Sequence, residues 1–404
     1  MESAAEACGQ PVVKHALPEP DADERAHSAV LADLIRAEIA ASGAMTFARY
    51  MELCLYAPGL GYYSAGRTKF GAAGDFVTAP ELGSLFARGI ARALAPTLRE
   101  LGDAADFVEL GGGSGAFALA ALRELAAIDA LPRRYRILEP SADLRERQRA
   151  RVMQELPPEL AMRVDWIDRP PTADWRGVLF ANEVVDALPA TRFAMLDGAV
   201  FEECVAVDAE RFVPVLRPAD AVVGAAVRAV ERTLDAPFAD GYRSEILPQL
   251  PYWLQAIGAS LRAGVMLFVD YGYARREFYL PQRSDGTLVC HYRHHAHADP
   301  LHWPGLEDIT AFVDFSALAA AGTGAGFEFA GYAPQSHFLL ASGLPELIAE
   351  ADPASELDRL RLVAELKRLT LPGDMGERFQ AIAFARGVER TPAGLRASAH
   401  SRRL

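Results

Sequence analysis

D-F-V-E-L-G-G-G-S-G-A-F-A-L-A, Asp106 to Ala120, reads as a buried strand, an acidic residue, a glycine-rich turn and the start of a helix. That is the first βα unit of a nucleotide-binding α/β fold. Gly111, Gly113 and Gly115 let the backbone bend sharply and approach a ligand, and the free N–H groups of the next helix point at the same spot. Two cofactor classes use such a turn. Gly111, Gly113 and Ala116 satisfy the dinucleotide pattern, in which a pyrophosphate rests on the helix N-terminus. Glu109 separates the two, because a carboxylate two residues before the glycines repels a pyrophosphate but holds a cationic amino group. S-adenosylmethionine (SAM) carries an α-amino group and a sulfonium, so this form of the turn favours it. Further on, Y-R-I-L-E-P ends a second strand in Glu139, 24 residues beyond Gly115. An acid there accepts hydrogen bonds from ribose hydroxyls in either cofactor class. A tight turn without a ligand and a solvated strand-end carboxylate are the plainer readings of the same residues.

Composition frames this reading. With 404 residues, 51% hydrophobic and 24% charged, the chain can bury a full core and carry one large domain plus additions. Its 41 basic and 54 acidic side chains leave a net charge of −13, which disfavours non-specific nucleic-acid binding. Cys8, Cys54, Cys204 and Cys290 lack C-x-x-C spacing, so neither a zinc ribbon nor a disulfide framework is suggested, and a reducing compartment fits them. No apolar run reaches the length of a membrane span. Residues 1–27 mix Glu2, Glu6, Glu19, Asp21, Asp23 and Glu24 among small residues, unlike a secretory signal or an acid-poor transit peptide. The expectation is a cytoplasmic protein without membrane insertion.

Along the chain, residues 1–27 read as a flexible tail. Val30, Leu31, Leu34, Ile35 and Ile39 recur at helical spacing, Gly43 stops them, and Thr46 caps a second helix through Leu55. A loop rich in glycine and tyrosine follows, holding Tyr62 and Tyr63; long ordered loops of this kind are more often functional than spacers. Pro80 and Glu81 open a helix to about Arg99. Strand readings at 107–109, 135–138, 164–167, 178–181 and 265–271 alternate with helices and predict a parallel sheet. Runs over 191–217 separated by D-G and D-A-E predict inserted antiparallel hairpins. After Tyr271 an irregular stretch runs to about 309, then a helix from Thr310, a hairpin over 327–341, a polar helix over 353–369, a last strand over 379–386 and a disordered basic tail over 390–404. The expected domains are therefore a tail (1–27), a helical extension (28–100), a core (101–389) and a second tail.

The fourth strand ends V-L-F-A-N-E-V-V-D-A-L-P, with Asn182, Glu183 and Asp186 at the sheet edge where ligands of such folds bind. Carboxylates beside a cationic cofactor suit a nitrogen base as methyl acceptor, and a forked guanidinium pairs with them bidentately. Capping of a following helix is the plainer reading of Glu183 and Asp186. The run C-H-Y-R-H-H-A-H-A-D-P-L-H-W holds His291, His294, His295, His297 and His302. Alternating positions on one loop or strand do not converge, and methyl transfer from a sulfonium needs no Lewis acid, so no metal is expected. Asp308, Asp314 and Ser316 read as caps of the helix after the loop. Asp270, Tyr271 and Tyr273 end the fifth strand and bring polar and aromatic groups to the same cleft.

Five separated motifs agree with one family: G-D-F-V-T-A-P-E (74–81), E-L-G-G-G-S-G (109–115), A-N-E-V-V-D-A-L-P (181–189), F-V-D-Y-G-Y (268–273) and G-T-L-V-C-H-Y-R-H-H (286–295). In this order, and over about 28–386, the chain resembles the MidA family of SAM-dependent methyltransferases, whose mitochondrial members methylate arginine and assist assembly of respiratory complex I. The resemblance implies a Rossmann-like, seven-stranded class I methyltransferase fold with an N-terminal helical extension, SAM as cofactor and a protein partner, a complex I subunit among the candidates, as substrate. It places Glu109, Gly111, Gly113, Gly115 and Glu139 where the cofactor is held, and Thr78, Pro80 and Glu81 on a loop closing over its methionine end. Asn182, Glu183 and Asp186 fall at the transfer site; Tyr62, Tyr63, Tyr271, His291 and His294 would shape the acceptor pocket. Gly112 stands where many relatives carry proline, and Phe312 where a histidine is common. Two other functions fit the same residues: a small-molecule N- or O-methyltransferase, and a SAM-binding scaffold without turnover.

Overall fold

Asp106–Leu110 (β1) is buried along its whole length, as a strand covered on both faces must be. In the computed structural model, which describes residues 17–65, 78–396 and 398–404, it belongs to a mixed sheet with Tyr135–Leu138 (β2), Val164–Ile167 (β3), Trp175–Asn182 (β4), Leu261–Tyr273 (β5), Glu328–Pro334 (β6) and Phe379–Arg386 (β7). Their order is β6-β7-β5-β4-β1-β2-β3. The first five pair in parallel; β7 is antiparallel to both β5 and β6. The α/β class is as expected. Among the described residues the sheet has seven strands on this continuous path and one short strand off it.

Register brings the site residues to one edge. Leu110 is level with Leu138 on one side and Ala181 on the other, and Ala181 is level with Phe268. Gly111, Glu139 and Asn182 each follow that row by one position and Glu183 and Asp270 by two, while β5 continues to Tyr273. Strand order reverses beside β1, which is where open α/β sheets form their ligand crevice. Behind that edge Phe117 stacks on Phe180 at 4.3 Å and Phe107 on Tyr135 at 4.7 Å. Each fully buried aromatic of this kind stabilises the fold by about 1.5–3 kcal/mol. At the opposite end Asp106, fully buried, receives Arg133 through two bonds of 2.9 Å and Arg136 at 3.1 Å, which compensates its lost hydration.

Contacts group the described residues into two units, neither of them a continuous segment. One holds this sheet and comprises 78–184, Leu250–Gly272 and Phe315–Leu404; the other comprises 17–65, Val185–Gln249 and Tyr273–Asp314. The expected extension, 28–100, and the expected core, 101–389, each contribute residues to both units. Within the sheet unit, the helix expected from Pro80 splits into Ala79–Leu82 and Leu85–Leu101. The second begins afresh because Glu365, 280 residues away, accepts the N–H of Leu85 at 2.6 Å. The hairpin expected over 327–341 is β6 followed by a helix, Gln335–Ala341. The expected C-terminal tail is ordered: Leu395 is fully buried in the turn Ala393–Arg396, and Ser401 Oγ accepts the N–H of Tyr332 at 3.0 Å.

In the other unit the helix Ala22–Ser42 starts earlier than expected, because Asp21 and Glu24 form a reciprocal capping box. Residues 22–27 are therefore helical, and 1–16 lie outside the described residues. Leu31, Ile35 and Ile39 face its core, whereas Val30 and Leu34 are exposed. Met45–Thr46, Ala199–Asp208, Thr191–Leu196 and Arg243–Ile246 form an antiparallel sheet in that order, with Arg211–Pro218 added to Ala199–Asp208. The D-G turn, Asp197 at φ 50° and Gly198 at φ 73°, has the geometry that a two-residue hairpin demands. The stretch expected to be irregular carries a second small sheet, His295–His297, Val289–Tyr292 and Asp308–Thr310. Thr310 therefore ends a strand, and the helix expected from it is Phe315–Gly324.

Candidate active site

The turn over residues 111–115 joins β1 to the helix Ala116–Ala127. Gly111, Gly113 and Gly115 have φ of 67°, 52° and 83°, values that residues with side chains rarely adopt. A Cβ at Gly112 would lie 2.6 Å from Ile137 Cγ2 and 3.1 Å from Gln148 Nε2, so a proline here would require both neighbours to yield. Just before the turn, Glu109 is buried and accepts the Tyr135 hydroxyl at 2.7 Å. Burial pushes its carboxyl up to about 8; the Tyr135 hydrogen bond opposes that rise and the charge of Glu139 adds to it. A buried acid of this kind is completed by a cation, which restores the ionised form.

Glu139, also buried, accepts the N–H of Ser141 at 3.0 Å and Gln148 Nε2 at 3.2 Å. Gln148 also donates to the Gly113 carbonyl at 2.9 Å and accepts Trp166 Nε1 at 2.9 Å. It ties the glycine turn to the second acid. No motif announces it, yet Leu144, Gln148 and Val152 are the buried face of one helix, and an amide on an otherwise apolar stripe is a readable signal. Ser114, inside the turn, donates its hydroxyl to Glu81 and accepts Arg151 Nη1 at 2.9 Å. Glu81 is thus attached to the glycine turn itself. Pro80 lies in the first turn of the short helix, and Thr78 precedes it without a side-chain capping bond. The rest of the proposed closing loop, 66–77, lies outside the described residues. An open cavity of about 600 Å³ flanked by Arg145, Arg149, Trp166 and Asp168 is lined by none of the expected cofactor residues and carries no argument for them.

At the end of β4, Asn182 Nδ2 donates to Glu183 Oε1 at 2.9 Å. Glu183 has φ 53° and donates its N–H to the Val269 carbonyl at 3.0 Å. A non-glycine residue in that region carries strain of about 1–3 kcal/mol, and such residues cluster at functional sites. No helix follows Glu183 or Asp186, since the next element is the strand Thr191–Leu196, so helix capping does not explain them. Asp270, 1% exposed, accepts the N–H groups of Val184 at 3.3 Å and Tyr271 at 2.9 Å; it positions the backbone at the ends of β4 and β5. Tyr271 stands edge-on to Phe379 at 5.5 Å.

The remaining expected residues fall in the other unit. Tyr62 is buried in its core. Tyr63 stacks on Tyr56 at 5.6 Å and donates its hydroxyl to Asp308 at 2.8 Å. Burial, then the charges of Asp308 and Asp186 among its neighbours, hold that hydroxyl well above its usual pKa. Asp186 is buried, and its carbonyl accepts the N–H of Ala311 at 3.0 Å. Asp308 is therefore not a helix cap, and Asp314 accepts Arg275 Nε at 2.9 Å. Phe312 stacks on Tyr273 at 5.6 Å. His291 lies half-buried on its strand, where burial and the neighbouring His297 lower it to about 4. His294 is exposed in the turn with Arg293, at φ 63° and 46°. The structure therefore separates the two histidines that the sequence grouped, because the chain turns back between them.

Residues 89–333 match the model of a family described as "Putative S-adenosyl-L-methionine-dependent methyltransferase". The chain belongs to that family. It is 40% identical to a Burkholderia thailandensis protein whose crystal structure holds S-adenosyl-homocysteine (SAH), covering 96% of this chain and 100% of that one with a TM-score of 0.90. A Drosophila melanogaster relative named "Protein arginine methyltransferase NDUFAF7 homolog, mitochondrial" is 28% identical over 95% of this chain and 91% of its own length. The Homo sapiens protein of the NDUFAF7 name is 27% identical over 86% and 81%.

This methyltransferase uses SAM, and the chemistry of the edge fits that cofactor: a buried acid, three glycines in left-handed backbone and a second buried acid level with the turn. The cytoplasmic expectation is overturned by the relatives named mitochondrial. It failed because reduced thiols fit more than one compartment and an acidic N-terminal stretch speaks to only one route of delivery. Among the described residues no helix is long and apolar enough to cross a membrane.

Proposed function

We propose that this methyltransferase transfers the methyl group of SAM to an arginine nitrogen of a protein partner. The observation that carries the reading is Glu183, a carboxylate held in strained backbone at the end of β4, level in the sheet with the cofactor turn. The printed names of the curated relatives support arginine as the acceptor. When bound, SAM supplies a sulfonium-activated methyl group. Glu183, steadied by Asn182, accepts N–H groups of the guanidinium, fixes its plane and favours the positive charge that grows on it. Glu109 receives the cationic amino end of the cofactor, Glu139 its ribose hydroxyls, and the glycine turn lets the backbone approach. Glu81, through Ser114, braces that turn beside Thr78 and Pro80, and Tyr271 supplies an apolar wall. In the other unit Asp186 and Asp308, with Tyr62, Tyr63 and His291, form an acidic and aromatic cluster suited to a basic peptide. His294, on its exposed turn, has no part in this reading.

Product chemistry tests the acceptor. With labelled SAM and extract proteins, the label should be recovered after hydrolysis as methylarginine. Label confined to other residues or to small molecules would overturn the arginine reading while leaving the methyltransferase in place.

Cofactor affinity should also depend on pH. Glu109 is held largely protonated below about 8, and pairing with an ammonium group requires its ionised form, so binding below that value releases a proton. Affinity for SAH, measured by calorimetry, should rise by up to about tenfold per pH unit between about pH 6 and 8. Glu109→Gln should flatten the profile; an unchanged slope would show that Glu109 does not face the amino group.

A further inference from the structure

The small sheet Val289–Tyr292, His295–His297 and Asp308–Thr310 gathers three metal-ligating side chains that the reaction does not use. Cys290 sits directly opposite His297 across one strand pair. On the other side His291 pairs with Asp308, which places Glu307 opposite Tyr292, two residues along from Cys290 and so on the same face. Cys290, His297 and Glu307 each offer one ligand atom, and these atoms all lie within 4.8 Å of one another. Convergence comes from strand pairing rather than from spacing along one strand, which is why the histidine run read alone argued against a metal.

We infer that Cys290, His297 and Glu307 bind a divalent d-block cation, with zinc as the first candidate. The donor set is a thiolate, an imidazole and a carboxylate, the mixture that zinc takes. Bonds of about 2.1 Å at tetrahedral angles place two such ligand atoms about 3.4 Å apart; His297 Nε2 and Glu307 Oε1 are 3.3 Å apart. The sulfur edges of the same tetrahedron are about 3.6 Å, and the sulfur lies within 4.8 Å of both other ligand atoms. Cys290 is fully buried and Glu307 is 1% exposed. Their mutual contact of 3.3 Å aside, neither oxygen of Glu307 and neither ring nitrogen of His297 is satisfied by strict hydrogen-bond geometry. A buried carboxylate and imidazole left in that state are costly, and a cation bonded to both removes the deficit. The partly exposed edge of His297, 13% accessible, gives the ion an entry. Binding replaces the Cys290 thiol proton, which passes to solvent, with the metal. The fourth position is open to water.

The full chain, stripped by chelator, reloaded with zinc and dialysed against metal-free buffer, should retain one zinc per chain by elemental analysis. Cys290→Ser and Glu307→Gln should each lower retention at least about tenfold while SAH binding by calorimetry is unchanged. Loading with cobalt should give a thiolate-to-cobalt charge-transfer band and intense visible bands of tetrahedral coordination. The cobalt spectrum needs only the natural chain, so it decides the matter even where a variant fails to fold. Wild-type protein that retains no zinc, a cobalt spectrum without the thiolate band, or variants that hold zinc as well as the parent would each overturn the site. None of these outcomes depends on which acceptor is methylated.

Discussion

Glu183→Gln is expected to lower the rate of methyl transfer by about 10²-fold or more, equivalent to about 2.7 kcal/mol of transition-state stabilisation, with SAH affinity nearly unchanged. The amide keeps the shape of the carboxylate but loses the charge that opposes the positive charge growing on the acceptor. Because Glu183 sits at φ 53°, the strain belongs to the backbone and persists in the glutamine variant, so stability should move little. Glu183→Gly separates the two effects. Glycine tolerates that backbone, so this variant should gain about 1 kcal/mol in stability while losing at least as much activity. Release of SAH, calorimetry and denaturant unfolding measure the three quantities. Full activity in Glu183→Gln would remove Glu183 from the transfer step.

Gly177→Ala should produce a large loss of stability, more than about 3 kcal/mol, and take cofactor binding with it. Gly177 lies in β4, paired with Asp106 of β1 and Gly264 of β5. Its φ is 145°, and a Cβ there would fall 1.8 Å from the Asp106 carbonyl oxygen. That obstacle is backbone in a paired strand, so it cannot rotate aside. Relief requires β1 and β4 to part at the row that sets the register of Leu110 with Ala181, and hence the alignment of the glycine turn with Glu183. Gly198→Ala is the contrast: its φ is 73° but nothing lies within 4 Å of the added carbon, so only the conformational cost of about 1 kcal/mol applies. Equal urea midpoints for the two variants would show that the crowding at Gly177 is absorbed elsewhere.

Much of the sheet edge at the glycine turn was legible because its signals are local. The turn at Gly111, Gly113 and Gly115 needs left-handed backbone, and Glu139 ends its strand one position past the row shared with Leu110. The hairpin at Asp197 and Gly198 was readable for the same reason. The helix break before Leu85 was not, because the capping carboxylate of Glu365 comes from 280 residues away. Nor did the pattern at 308–316 reveal that Asp308 receives Tyr63, a partner 245 residues distant. The C-terminal tail expectation failed in the same way, since the short segment Ala393–Arg396 is ordered by the burial of Leu395.

From sequence alone came the α/β class, the glycine turn and the carboxylates at the end of the fourth strand, all written in a few consecutive residues whose backbone preferences and charge act over one or two turns. The tertiary structure decided which side chains meet. It seated Gln148 between the glycine turn and Glu139, separated His291 from His294, divided the chain into two interleaved units and brought Cys290, His297 and Glu307 onto one sheet face. Strand register and long-range burial set those distances, and neither is a property of any short stretch of chain.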